Sequence, residues 1–560
     1  MLSNRAEAGW IPDDINPDGL KLISDLLDHC CKKYGAKPAF TSLGHTITYA
    51  ELDKYSAAFA AFLQTETNLK PGDRIAIQLP NLVQYPIVLF GALRAGMIAV
   101  NTNPLYTAHE MEYQFKDSGV KALVIYHCMA HNAEKILANT DIETVILTEA
   151  GDMHGFIKRN LISFVIKYVK KMQPAFNLPK ALLLRDVLRR NAGKQPERVA
   201  ATPATTAVLQ YTGGTTGFSK GAELTHANLI SNMLQGLIRI EGAGEGWSDN
   251  VIAPLPLYHI YAFTLTQATM ICGGHNILIP NPRDIPGFIK ELKKLKPSFF
   301  IGLNTLFVAL CRAPEFATVN FSKLRGTSSG GMALTHDAAD QWKRITGCTI
   351  TEGYGLTEAS PMVTINPIGD EQIGTIGLPL AHTSIRIVDS NENDVEEGME
   401  GELCVRGPQV MKGYWKREQE TEDSFTQDGY LKTGDIAIRH VDGFIHIADR
   451  AKDIIIVSGF NVYPNEIESV ASKHPDIVEC AAVGIPDDVT GEAIKLFVVS
   501  SRDDLDAAEI RAWCRGKLTG YKIPRVVEFA DELPKTNVGK ILRRSLREDI
   551  GAQAESCVIA

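Results

Sequence analysis

Along the first third of the chain, strand-length apolar runs alternate with longer stretches that are apolar at helical spacing. DRIAIQL (73–79), MIAVNTN (97–103) and KALVIY (121–126) read as buried strands, and YPIVLFGALRAG (85–96) and EMEYQFKDSG (110–119) between them as helices. Strand and helix in steady succession predict a multidomain α/β protein with layered, largely parallel sheets. Near Ile373 the rhythm shortens to SIRIVD (384–389), GELCVRG (401–407) and GFIHIAD (443–449), separated by Gly and Asp turns, which predicts a β-rich subdomain over about 373–450. Beyond Arg450 the helical stretches NEIESVASKH and LDAAEIRAWCRGKL and the strands ECAAVGIP and KLFVVS predict a small α+β domain. The expected division is therefore a body over 1–450, a C-terminal domain over 453–560, and a boundary at about 450–453.

A different pattern fills residues 156–190, where nine Lys or Arg accompany a single acid, Asp186. Leu161, Phe164, Val165, Tyr168, Val169 and Met172 recur at helical spacing, with Lys167, Lys170 and Lys171 roughly opposite. That is an amphipathic basic helix, ended by Pro174. Two uses fit it: packing on its own domain with a solvated lysine face, or attraction to an anionic membrane surface.

The stretch richest in candidate chemistry is YTGGTTGFSKGA (211–222). Gly213, Gly214 and Gly217 let the backbone approach a ligand, Thr212, Thr215, Thr216 and Ser219 supply hydroxyls, and Lys220 supplies charge. Successive N–H groups in such a loop form an anion-binding concavity suited to a polyphosphate. Apolar AVLQY precedes it and helical THANLISNMLQGL follows, so strand, loop and helix N-terminus are expected around the anion. It is not a Walker A loop, since the Gly-Lys pairs 193–194, 516–517 and 539–540 are followed by Gln195, Leu518 and Ile541 rather than Ser or Thr. GxGxxG fails too, because the glycines of 242–246 have the wrong spacing.

Four weaker constellations accompany it. Gly353-Tyr354-Gly355-Leu356-Thr357-Glu358 offers an aromatic for a purine face and a carboxylate for Mg²⁺. Thr433-Gly434-Asp435 places a carboxylate at what reads as a tight turn, 449–453 is a charge cluster, and Lys540 follows the turn-forming run 534–539. A rival is Gly326-Thr327-Ser328-Ser329-Gly330, which fits the GxSxG elbow of α/β-hydrolases with Ser328 as nucleophile.

At 560 residues the chain needs a large body plus at least one smaller unit, and 45% hydrophobic residues suffice for packed cores. A net charge of −9 argues against general nucleic-acid binding. The ten cysteines contain no CxxC, which excludes a zinc ribbon and suits reduced, buried thiols. MLSNRAEAGW lacks a signal-peptide core, and no stretch reaches the roughly twenty apolar residues of a membrane span. A cytoplasmic protein, peripherally attached to the membrane through 156–190, is the expectation. The final Cys557-Val558-Ile559-Ala560 formally fits a CaaX prenylation box.

In this order, the motifs resemble the adenylate-forming superfamily of acyl-CoA synthetases, luciferases and peptide-synthetase adenylation domains, over nearly the whole chain. YTGGTTG, PLYHIYAF, NPRDIPG, GPQVMKGYW, VSGFNVYPNEIE, LTGYKIP and LPKTNVGKILRR are similar to the bacterial long-chain fatty acyl-CoA synthetases, including Gly213 where most relatives carry Ser. The resemblance implies two α/β sheets and a distorted β-barrel followed by a mobile C-terminal domain. It also implies a fatty acid, ATP and CoA as substrates, with Mg²⁺, an acyl-adenylate intermediate, and AMP and pyrophosphate as products.

By the same resemblance, the loop from Thr212 to Lys220 cradles the β- and γ-phosphates, and Thr212 with Glu358 holds Mg²⁺. Gly330, Gly331, Glu352, Gly353, Tyr354 and Gly355 line the nucleotide, and Thr357 meets the α-phosphate. Asp435 takes the ribose hydroxyls, Arg450 the ribose or phosphate, and Lys452 is the hinge residue. Lys540 is the adenylation lysine, His259 and Phe263 wall the acyl site, and Gly459 lies on the CoA path. Activation of medium-chain or aryl acids, a hydrolase using Ser328, and a non-catalytic nucleotide- or acyl-binding relative are the alternative readings. The last would be expected to lack the Lys540 or Glu358 equivalent, and both are present.

Overall fold

A computed structural model describes residues 9–212, 219–458, 460–487, 489–536 and 539–547. The alternation expected of the first third forms an eight-stranded sheet. Arg74–Gln78, Ile98–Asn101, Val120–Tyr126, Thr144–Thr148 and Leu182–Leu183 join Thr206–Thr212 in parallel pairing. The Gln84–Arg94 helix is buried from Gln84 through Leu93, as a helix that is apolar nearly all round must be. A nine-stranded sheet has a parallel centre that includes Phe299–Gly302, Gly326–Ser329 and Ile350–Gly355, with antiparallel strands at its edges. One continuous apolar core joins elements of both sheets.

The β-rich subdomain is a four-stranded antiparallel sheet of Ser384–Val388, Glu400–Arg406, Leu431–Arg439 and Ile445–Arg450, with its own core. From Ile455 onward a five-stranded sheet carries the helices Pro464–Ala471 and Ala507–Arg515 over a separate core.

Three local expectations are corrected. The Gly-rich loop does not run into a helix: Lys220–Thr225 is a strand paired antiparallel with Thr206–Thr212, and the helix starts only at His226. The described ends of the loop are thus two paired antiparallel strands. Thr433-Gly434-Asp435 is not a turn but lies within the strand Leu431–Arg439, where Gly434 takes a φ of 72° beside an irregular register. The basic helix is shorter than expected. Phe156–Phe164 is α-helical, Val165–Val169 adds a π-helical turn, and Lys171 enters the left-handed region at φ 51°. The Met172 N–H then reaches back to the Ile166 carbonyl, closing the helix before Pro174.

That helix does not bury its apolar stripe. Phe156, Ile157, Leu161, Phe164, Tyr168 and Val169 are between 54% and 83% exposed. It is tied down by polar contacts, Lys158 Nζ to the carbonyls of Leu43 and Gly44 and Ser163 Oγ to Glu149. Among the described residues, no helix is long and apolar enough to cross a membrane.

Candidate active site

The site is assembled where strands of all three sheets of the body end and the C-terminal lobe reaches across. Gly213, Gly214, Thr215, Thr216 and Gly217, and Gly459, lie outside the described residues. The hairpin's described ends are firm. Thr212 pairs with Lys220, and next to it Tyr211 donates to Asp117 Oδ2 at 2.6 Å, whose other oxygen takes Arg417 at 2.7 Å. Lys220 Nζ stands 5.2 Å from the centroid of the Tyr414 ring.

The turn Thr357–Ala359 packs against both hairpin strands and leaves Thr357 and Glu358 half-buried there. Tyr414 donates to Glu358 Oε1 at 2.7 Å. Glu358 and the Thr212 hydroxyl are hard oxygen donors, the set a Mg²⁺ ion with phosphate partners requires. The preceding strand, Ile350–Gly355, needs its last glycine: a Cβ on Gly355 would lie 2.1 Å from the Pro361 carbonyl oxygen. Gly353 is less confined, with the Ile365 side chain 3.1 Å and the Thr364 carbonyl 3.2 Å from a Cβ.

Glu352, 5% exposed, accepts from the Leu334 N–H at 2.9 Å and thereby ties this strand to the turn after Gly330 and Gly331. Burial pushes its carboxyl up to about 8, against the opposing pull of the Leu334 and Gly374 N–H groups, so it is largely protonated at neutral pH.

Asp435 and Arg450 face one another across paired strands, Nε to Oδ1 3.1 Å, and Tyr354 donates to Asp435 Oδ2 at 2.5 Å. A carboxylate offers about four lone-pair positions, so Asp435 retains capacity for two ribose hydroxyls. Lys540 arrives from the C-terminal lobe on a tight loop, its N–H bonded to Thr536 Oγ1 at 3.0 Å. Gly331, at φ 84°, lies beneath it, and a Cβ there would sit 3.6 Å from Lys540 Cε. Gly539 docks the loop on the body, with Thr305 Oγ1 3.0 Å from its Cβ position.

Burial lowers the Lys540 ammonium to about 8, with Arg450 adding to the shift and Asp435 and Glu358 opposing it. His259 caps the helix Ile260–Ile271, accepting from the Tyr261 N–H through Nδ1 at 3.3 Å. Burial first, then the charge of Lys540, lower its imidazole to about 4, leaving it neutral. Phe263 is buried on the same helix and, with Leu257, Phe90 and Tyr85, lines a small apolar hollow of about 10 Å³. Lys452 is exposed in the turn after Arg450, where partial burial first and then the Arg450 charge lower its ammonium, with Asp453 and Asp435 opposing.

The structure thus brings together Thr212, Lys220, Gly331, Tyr354, Thr357, Glu358, Asp435, Arg450 and Lys540. It also adds two residues the sequence motifs contained without marking. Tyr414 holds Glu358, and Tyr261 hydrogen-bonds Ser328 at 3.1 Å while its ring lies 3.2 Å from where a Gly330 Cβ would be. The Ser328 partner counts against the hydrolase reading. Ser328 lies inside the strand Gly326–Ser329 and pairs with a phenol rather than a histidine, and the next helix begins only at His336, not directly after an elbow.

Residues 27–415 match the AMP-binding enzyme family, and residues 466–540 match the AMP-binding enzyme C-terminal domain. The long-chain-fatty-acid–CoA ligase of Escherichia coli O157:H7 is 47% identical over 548 residues, 98% of each chain. The protein of the same name from Bacillus subtilis (strain 168) is 35% identical, over 98% of this chain and 99% of that one. Among solved structures, ATP-bound MatB from Rhodopseudomonas palustris superimposes with a TM-score of 0.81 at 29% identity, covering 94% of this chain and 98% of that one. The anthranilate CoA ligase AuaEII gives a TM-score of 0.83 at 24% identity, covering 94% and 97%, a likeness of fold.

Proposed function

The chain belongs to the AMP-binding enzyme family, and from that premise we propose that it joins a long-chain fatty acid to CoA using ATP. The fatty carboxylate attacks the α-phosphorus, pyrophosphate leaves, and an acyl-adenylate forms. The CoA thiol then attacks the acyl carbon, its proton is lost, and AMP departs. The observation carrying this reading is Lys540, a partly desolvated cation brought by the C-terminal lobe to the Tyr354–Asp435–Arg450 cluster beside Glu358.

In this reading Lys540 bridges the carboxylate and the charge developing on phosphorus. Thr212, the hairpin tip and Lys220 cradle the distal phosphates, and Thr357 meets the α-phosphate. Tyr354, Gly330, Gly331, Glu352, Gly353 and Gly355 line the base, and Asp435 and Arg450 hold the ribose. Thr212 and Glu358 would hold Mg²⁺, which when bound neutralises phosphate charge. Neutral His259 and Phe263 wall the acyl site, and Gly459 lies on the CoA path. Residues 450–453 form the hinge, with Lys452 as the residue whose torsions turn the C-terminal lobe between the two half-reactions.

ATP–pyrophosphate exchange across acids from acetate to long-chain and aryl acids tests this. The expected result is exchange that peaks with long-chain acids. A peak at medium-chain or aryl acids would transfer the reading to those substrates, and absence of exchange with every acid would overturn it.

A long-chain substrate partitions into bilayers, and the exposed stripe of Phe156–Phe164 and Val165–Val169 beside Lys167, Lys170 and Lys171 supports peripheral attachment to an anionic membrane surface. Each lysine near such a surface contributes about 1 kcal/mol. Changing Lys167, Lys170 and Lys171 to Glu should therefore weaken sedimentation with anionic vesicles on the order of a hundredfold or more. Added salt should weaken the parent likewise, and activity on a short soluble acid should survive the triple change. Equal binding to neutral and anionic vesicles would rule this attachment out.

A further inference from the structure

Residues 408–417 cross from the four-stranded sheet to the mouth of the phosphate hairpin as a strap fixed at both ends. Asn228 Nδ2, on the helix His226–Ile240, donates to the carbonyls of Pro408 and Val410 at 2.8 Å each. At the far end Arg417 meets Asp117, the residue that also anchors Tyr211. Between these points Gly413 and Tyr414 pair antiparallel with Glu223 and Ala222 of the hairpin, and the N–H groups of Lys412 and Trp415 donate to the Glu223 and Gly221 carbonyls.

The strap's pairing sets Tyr414 where the two opposite charges of the site converge. Its hydroxyl donates to Glu358 Oε1 at 2.7 Å, and its ring receives the Lys220 ammonium at 5.2 Å. The backbone reinforces the first contact, since the Met411 N–H donates to the Glu358 carbonyl at 2.7 Å. Glu358 and Lys220 are thus tied to one ring from opposite sides of the hairpin mouth.

We propose that Tyr414 is the positioning residue of the metal-and-phosphate site, fixing the Glu358 carboxylate through its hydroxyl and Lys220 through its ring. The inference rests on Glu358 being the magnesium-holding carboxylate. A glutamate side chain has several rotamers, and ordering it on metal arrival opposes binding. A phenol already bonded to Oε1 removes much of that freedom and would leave Oε2 available to a cation. Partners of this kind govern metal affinity by about 10–100-fold. The ring does the same for the lysine, because a cation over an aromatic face is attracted yet still free to donate its protons to phosphate.

Mn²⁺ serves as the probe, its binding to the full-length protein with a non-hydrolysable ATP analogue measured by electron paramagnetic resonance. Tyr414→Phe keeps the ring and the strand pairing and removes only the hydroxyl. It should weaken Mn²⁺ about tenfold or more with the melting temperature unchanged. Glu358→Gln should weaken Mn²⁺ at least as much, and the double variant should be no worse than Glu358→Gln alone, because both changes act through one carboxylate. If Glu358→Gln weakens Mn²⁺ and Tyr414→Phe does not, the role of Tyr414 is overturned while the reading of Glu358 stands. If Glu358→Gln has no effect, the reading of Glu358 falls, and this inference with it. Lys412→Ala, which removes a strap contact to Glu223 but none to Glu358, should leave Mn²⁺ affinity unchanged; an equal loss there would show that the strap matters only as a whole.

Discussion

Replacing Lys540 with Ala should slow acyl-adenylate formation by roughly 10²–10³-fold, the range for removing one donor aimed at developing charge. Thioester formation from supplied acyl-adenylate should continue near the parental rate, because the proposed hinge turns Lys540 away for that step. Pyrophosphate release and CoA consumption, measured separately in single-turnover experiments, distinguish the two. The environment of the lysine adds a pH signature. Burial, with Arg450 nearby, places its ammonium at about 8, so the charged form dominates below that pH and is lost above it. The second-order rate of adenylation by the free enzyme should therefore fall about tenfold per pH unit on the alkaline side. His259, lowered to about 4, stays neutral throughout and contributes nothing to that limb. Lys540→Arg retains charge at every accessible pH and should flatten the alkaline limb, at whatever rate its different geometry allows. Equal loss in both half-reactions of Lys540→Ala would mean that the lysine holds structure instead.

Layer order was readable from the sequence because burial on both faces of a parallel sheet leaves continuous apolar runs, and Arg74–Gln78, Ile98–Asn101 and Val120–Tyr126 carry such runs. The hairpin was not readable. KGAELT opens with Lys and Gly and reaches strand conformation only through its partner Thr206–Thr212. Thr433-Gly434-Asp435 has the composition of a turn, yet cross-strand pairing with Arg450 keeps Asp435 in a strand. Local propensity lost to tertiary pairing in both places.

The site followed the same division. Residues such as Lys540 and Glu358 stood out in motifs, and the order of those motifs carried the family resemblance. Tyr414 and Tyr261 sat in the quoted stretches GPQVMKGYW and PLYHIYAF, but an aromatic there is indistinguishable from core packing until its hydroxyl is seen on Glu358 or Ser328. For the basic helix, spacing gave the stripe, whereas its exposure depends on what the rest of the fold leaves uncovered.

At the proposed boundary of 450–453, Arg543 gathers carboxylates from both sides, with Arg547 sharing Asp453 at 3.0 Å. Arg543→Ala should destabilise the C-terminal lobe by about 3–5 kcal/mol, the range for stripping the partner from buried charges. Arg543 Nη2 meets Glu468 Oε2 and Asn465 Oδ1, each at 2.7 Å, and Nε meets Glu468 Oε1 at 3.1 Å. Its Nη1 lies 3.8 Å from Asp449 and 3.6 Å from Asp453, carboxylates with side chains 0% and 10% exposed. Burial already raises Asp449 to about 6 with the guanidinium beside it, and without that cation it must rise further. An acid whose folded pKa is raised takes up a proton in the folded state that the unfolded chain does not bind, so stability falls as pH rises through the folded value. The deficit of Arg543→Ala should accordingly be largest well above pH 6 and narrow as the pH is lowered towards 6. Because Arg543 follows Lys540 by three residues, adenylation should fall together with stability, and Arg543→Lys should recover part of both. Denaturant unfolding of parent and variant at several pH values provides the check. A pH-independent loss below about 1 kcal/mol would place the cluster with solvated surface ion pairs.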